Sequence, residues 1–162
     1  MNERAAALKQ KLIRNLNTAA REPFVREPLY QCESASMTQG TIATKLGCAF
    51  DIVPAGKQSC PYHLHHAQEE MFVIIEGEGT LRVAGERIAI SAGDVITIPP
   101  GPDYPHHILN TSEMPLKYLS ISTREAPEIC EYPDSHKVSA WAPNVGLRGR
   151  KESSLDYWDG EP

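Results

Sequence analysis

Residues 63–70 read HLHHAQEE, which places three of the chain's six histidines and two glutamates within eight positions. Neutral imidazole nitrogens and carboxylate oxygens together are the donor mixture that borderline divalent cations accept. On a helix, His65 with Glu69 or His66 with Glu70 would pair at four-residue spacing. On a strand, His63 and His65 share a face because side chains alternate. The flanks favour the strand: Pro61 lies just upstream, and the segment runs into the β-branched stretch MFVIIEG, too short for a helix before its glycines. The HExxH pattern of helical zinc proteases is absent. A single polar histidine is ordinarily a surface residue. Here a second cluster, His106 and His107 in PPGPDYPHHILN, leaves only His136 isolated. A second strand delivering a third imidazole would complete a site.

These residues need a frame to hold them. From Thr41 onward, short runs rich in Val, Ile, Thr and Tyr (TIATKL, GCAFDIV, EMFVIIE, TLRVA, RIAIS, DVITIP, HHILN, KYLSIS, KVSAW) alternate with turn sequences such as PAGK, GEG, SAGD and PPGPDYP. That rhythm, without intervening helical crossovers, predicts an all-β antiparallel sandwich or barrel. Residues 3–20, ERAAALKQKLIRNLNTAA, carry a loose helical period that ends near REPF. The expected organisation is a helix and arm over residues 1–42, a barrel over 43–141, and a tail over 142–162. Leu155, Tyr157 and Trp158 would pack the tail back on the barrel, although a loose end fits its polarity equally. Phe50, Phe72, Ile74 and Ile98 read as barrel core, and Trp141 and Trp158 as packing anchors.

The 162 residues are 41% hydrophobic and 23% charged, enough for one well-buried core. A net charge of -5 lacks the basic footprint of nucleic-acid binding. No apolar run reaches membrane-helix length, and no signal peptide is evident. Cys32, Cys48, Cys60 and Cys130 show no CxxC spacing and read as reduced thiols in a cytoplasmic protein. Cys60, three residues before His63, could touch a metal, but a buried apolar thiol is the commoner case.

The arrangement resembles the cupin superfamily. Its first motif is glycine, five residues, HxH, three or four residues, Glu, six residues and Gly. His63, His65, Glu70 and Gly77 match it, with Gly56 one residue too far upstream. The second motif is matched by Gly93, Pro99, Gly101, a histidine and Asn110, but PDYP puts four residues where two are usual. Either His106 or His107 can then be the ligand; the three-residue step to Asn110 favours His106. Beyond the motifs, YLSIST, PEICEYPDSHKV and DYWDGE look like small single-domain bacterial cupins that carry loose labels as sugar-phosphate isomerases related to phosphomannose isomerase. The resemblance implies a cupin-type barrel (double-stranded β-helix, or jelly roll), a homodimer paired through the N-terminal arm, and a mononuclear site of His63, His65, Glu70 and His106. The metal would be Zn, Mn, Fe or Ni.

Three functions fit such a site. An isomerase for a sugar phosphate or similar small polar carbonyl compound needs a base, for which Glu69 and His107 are candidates, and a phosphate-binding cation, for which Arg82, Lys117 and Arg124 are candidates. An Fe(II) dioxygenase would bind O2 and a chelating substrate in adjacent open positions. A binding protein without turnover is the third. The N-terminal segment is too short for a helix-turn-helix module with a linker, which argues against a transcription factor.

Overall fold

In the computed structural model, which describes residues 2–162, one short helix precedes thirteen strands. They are α1 (Glu3–Leu12), β1 (Glu22–Arg26), β2 (Tyr30–Ser36), β3 (Leu46–Val53), β4 (Leu64–His65), β5 (Glu70–Glu76) and β6 (Glu78–Val83). There follow β7 (Glu86–Ser91), β8 (Val95–Ile98), β9 (His106–Leu109), β10 (Leu116–Thr123), β11 (Glu128–Tyr132), β12 (Lys137–Ala142) and β13 (Val145–Arg150). The ladders between them are antiparallel. Six strands run β1-β2-β3-β10-β5-β8; opposite stand β13-β12-β11-β4 and β7-β6-β9. A bridge between His63 and His106 joins the two smaller sheets. This is the all-β antiparallel architecture expected from the strand rhythm, in the jelly-roll form that the motif resemblance implies.

Side chains alternate along each strand, so one face of each sheet turns inward. Val53, Phe72, Ile74, Leu81, Ile90, Ile98, Ile108, Leu116 and Tyr118 form the shared core. Phe50 is also buried but lies outside that cluster. Gly77 makes the turn between β5 and β6 at φ +88, where a Cβ would come within 2.7 Å of the Pro115 carbonyl oxygen. Asn110, 1% exposed, donates from Nδ2 to the Val53 and Met114 carbonyls, tying the end of β9 to β3 and to the next turn.

The N-terminal segment departs from its sequence pattern. Helix α1 starts at the Asn2 side chain, which caps Ala5 N, and ends at Leu12 rather than near residue 20. Asn15 is the reason: its side chain accepts from Asn17 N and its carbonyl from Ala19 N, which replaces helix with a turn. The run TIATKL is not a strand, because residues 41–45 are bends and irregular backbone and β3 begins at Leu46. Strands β1 and β2 precede it and extend the six-stranded sheet.

The tail also differs. Asn144, at φ 70, reverses the chain so that β13 adds to the edge of β12. Leu155, Tyr157 and Trp158 remain 68% or more exposed, so they do not pack back on the barrel. Trp141 is half-exposed rather than a buried anchor.

Candidate metal centre

The site forms where β4 and the approach to it meet β9, facing β5. The His63 and His106 backbones exchange N–H to C=O bonds of 3.1 and 2.7 Å, which fixes both rings beside each other. Glu70, at the start of β5, is nearly buried and points at them from the opposite sheet. Its Oε2 lies 2.7 Å from His106 Nε2, 3.6 Å from His65 Nε2 and 3.8 Å from His63 Nε2. One ligand atom from each of His63, Glu70 and His106 falls within 4.8 Å of the other two. His65 closes on the same oxygen from the side.

The second ring nitrogen of each histidine is occupied. His63 Nδ1–H donates to the Pro61 carbonyl at 2.9 Å, His106 Nδ1–H to the Tyr104 carbonyl at 3.1 Å, and His65 Nδ1–H to Glu128 Oε1 at 3.3 Å. Those bonds aim every Nε2 at Glu70, the orientation a metal needs from histidine. Burial drives His63 down to about 4, which keeps it a neutral donor near pH 7. Burial raises Glu70, but the His106 hydrogen bond and the neighbouring imidazoles outweigh it and hold the carboxyl below its usual value. The His63 and His106 nitrogens and the Glu70 oxygen, with His65 Nε2 3.6 Å from that oxygen, make a donor set that fits a divalent cation.

His106, 1% exposed, is thus the histidine of its pair that faces Glu70. His107 reaches the wall of the adjoining cavity and packs edge-on against Tyr62, 5.4 Å between centroids. Burial, with help from Arg82, pushes it down to about 4, and neither ring nitrogen has a hydrogen-bond partner among the described residues. His66 turns outward to Glu131 at 2.9 Å. Glu69 is exposed, its backbone pinned to Thr123, and Lys117 pairs with Glu76 at 2.8 Å. Neither of these two candidates is brought to the imidazoles. The Cys60 thiol, pushed up to about 12 by burial, lies 4.0 Å from His63 Nδ1, the nitrogen that faces away from Glu70.

Two residues escaped the sequence reading. Glu128, 2% exposed on β11, accepts from His65 Nδ1 and from the backbone amides of His66, Ala67 and Gln68. It lies 58 residues beyond Glu70 in a segment without a motif, so only tertiary pairing reveals it. Asp51, buried in β3, sits directly across from Ser34 on β2 and Tyr118 on β10. Desolvation raises its pKa, opposed by a hydrogen bond with Ser34. Its interruption of the apolar run GCAFDIV was the available signal. Asp51, Ser34, Ser59, Ser120 and Tyr118 share a cavity of about 420 Å³ with His63, Glu70 and His106.

Residues 49–122, which hold all four candidate ligands and most of the cavity lining, match the Cupin domain family. The chain is also 37% identical over 91 residues to an uncharacterized protein of Methanocaldococcus jannaschii, covering 54% of this chain and 70% of that protein. The chain belongs to the cupin family. This cupin superposes on a provisionally assigned sugar phosphate isomerase from Acidithiobacillus ferrooxidans with a TM-score of 0.81 at 23% identity, covering 91% of this chain and 97% of that one. A cupin-superfamily sugar phosphate isomerase from Silicibacter pomeroyi gives 0.76 at 21% identity, with 90% and 96% coverage. A predicted oxalate decarboxylase from Thermotoga maritima gives 0.62 at 24% identity, with 70% and 100% coverage. At such identities the likeness concerns the fold. Among the described residues of this cupin, no helix is long and apolar enough to cross a membrane.

Proposed function

We propose that this cupin is a metal-dependent enzyme of the isomerase type, acting on a sugar phosphate or a similar small polar carbonyl compound. The observation that carries the reading is the cavity lining. Four hydroxyls, from Ser34, Ser59, Ser120 and Tyr118, and the Asp51 carboxyl share it with His63, Glu70 and His106. Convergent hydroxyls suit a polyol chain. The names of the Acidithiobacillus and Silicibacter relatives support the same substrate class.

His63, His65, Glu70 and His106 would hold the cation. Bound there, a divalent metal supplies Lewis acidity, which polarises a carbonyl and acidifies the neighbouring C–H. Asp51 is the group suited to move the proton. It is buried, has no cationic partner among the described residues, and burial moves its pKa upward, toward the working range of a general base. As carboxylate it takes the proton from the carbon beside the carbonyl. The C–H electron pair becomes the C=C bond and the carbonyl π pair moves to oxygen. The neighbouring hydroxyl passes its proton to that oxygen, and Asp51 returns the first proton to the former carbonyl carbon. His107 also lines the cavity, but its ring packs edge-on against Tyr62.

Metal-loaded protein incubated with aldose and ketose phosphates in D2O should place deuterium on the exchanging carbon, and D51N should lose that exchange while keeping its metal. Absence of exchange across the panel contradicts the reading. Phe24, Phe72 and Ile108 in the same cavity favour a second reading, an Fe(II) dioxygenase for a more apolar substrate, which differs by consuming O2. A homodimer through the N-terminal arm belongs to the proposal, because β1 is a sheet edge with Phe24 and Val25 about half exposed.

A further inference from the structure

An isomerase for a phosphosugar needs a cation for the phosphate, and most of the arginines and lysines near the site are already engaged. Asp134 holds Arg82 through two bonds of 2.6 and 2.9 Å, and the Arg82 guanidinium lies 3.7 Å over the Tyr62 ring. Lys117 is held by Glu76. Arg124 is different. Just past β10, its backbone N–H donates to the Lys45 carbonyl at 3.0 Å and its Nη2 to Thr38 Oγ1 at 3.1 Å, and it has no acidic partner among the described residues.

The backbone beneath is built to admit it. Gly47 on β3 pairs with Ser122, and a Cβ at Gly47 would come 2.9 Å from Ser122 Oγ and 3.3 Å from Arg124 Nε. The missing side chain lets the hydroxyl and the guanidinium lie over the strand. Above them is a cleft of about 500 Å³ lined by Ser36, Gln68, Ser120, Ser122 and Arg124. Ala49 and Ser120 line both this cleft and the cavity of the metal group, so the two spaces adjoin. Ser122 stands in register with Glu70 on the neighbouring strand, and Arg124 follows two residues later, about 7 Å along an extended chain. Tyr118, Ser120 and Ser122, at every second position of β10, therefore form a row of hydroxyls leading from the cavity to an unneutralised guanidinium.

We propose that Arg124, with Ser122 and Ser120, is the anion-binding end of the site and takes the phosphate of an open-chain phosphorylated sugar whose other end reaches the metal group. This rests on the phosphosugar reading above. A guanidinium with adjoining hydroxyl donors is the arrangement that grips phosphate oxygens. The competing cation is Arg148 on the exposed edge strand β13, which lines a cleft of about 280 Å³ with His63, His65, Tyr132 and Trp141.

The test is calorimetric titration of the metal-loaded full chain with sorbitol 6-phosphate, which has no carbonyl to turn over, beside sorbitol and inorganic phosphate. The wild-type protein should bind the phosphorylated probe roughly tenfold or more tightly than sorbitol. R124Q should lose about that factor for sorbitol 6-phosphate, R124K should lose part of it, and both should keep the wild-type metal content and circular dichroism. R148Q should bind like the wild type. Unchanged binding by R124Q, or a loss confined to R148Q, overturns the assignment while leaving the phosphosugar reading intact. Equal affinity of the wild type for sorbitol and its phosphate overturns the anion site but keeps the polyol reading. No binding of the phosphorylated probe or inorganic phosphate overturns both.

Discussion

Glu128 accepts the Nδ1 proton of His65 at 3.3 Å through the carboxylate that also accepts three successive backbone amides of the following turn. Each oxygen takes two donors, so one buried side chain sets both the His65 ring and the loop that leads to Glu70. E128Q keeps the shape but replaces one acceptor oxygen with an NH2 group, which loses one of the two donor pairs. It should weaken metal affinity about 10–100-fold, as removal of such supporting carboxylates does. Competition titration against a chromogenic chelator measures this, and wild-type affinity in E128Q would contradict it.

The adjacent histidines His106 and His107 should separate cleanly. H106A removes the ring 2.7 Å from Glu70 and should purify without metal. H107A removes a buried ring that faces Tyr62 and should keep its metal while losing roughly 0.5–3 kcal/mol of stability. Elemental analysis and urea unfolding of both variants provide the check; metal loss in H107A with retention in H106A would reverse the assignment.

Asp51 gives a pH prediction with a definite sign. Its folded-state pKa is raised by burial, so its contribution to stability is intact below the unfolded value of about 3.9 and is lost as pH rises through the folded value. D51N should therefore match the wild type near pH 3.5 and exceed it in thermal stability at pH 8, while losing proton transfer. A D51N protein less stable than the wild type at pH 8 would show that the carboxylate is compensated in the fold.

Gly77 and Gly56 both have positive φ, +88 and +71, but only Gly77 faces backbone at 2.7 Å. G77A should cost more than the about 1–2 kcal/mol expected of a left-handed alanine alone, whereas G56A, with nothing within 4 Å, should stay within that figure. Urea midpoints of the two variants measure the difference. Equal losses would mean that the Pro115 carbonyl moves aside at no cost.

How much of this was legible in the sequence depended on how local each signal was. The runs EMFVIIE, RIAIS and HHILN became β5, β7 and β9 because alternating β-branched residues between glycine and proline turns have few other ways to fold. The histidine and glutamate spacing likewise survived into space, since two strands and one bridge suffice to gather it. TIATKL failed because Thr41 serves the 38–41 turn, its Oγ1 donating to the Thr38 carbonyl at 2.7 Å. Lys117 turns to Glu76 while its neighbour Tyr118 is buried, because side chains alternate along β10, and Glu69 stands exposed just before β5. Asp51 interrupts the apolar run GCAFDIV, but neither it nor Glu128 acquires a role until the strands and turn that pair beside it are known.

The proposed chemistry stands on a metal held by His63, His65, Glu70 and His106. Elemental analysis of protein purified without chelators, with H63A and E70Q alongside, tests it most directly. The wild type should carry close to one divalent ion per chain, and both variants should lose most of it with unchanged circular dichroism. Metal content in H63A and E70Q equal to that of the wild type, or a wild type that takes up none when Zn, Mn, Fe and Ni are each supplied, would contradict it.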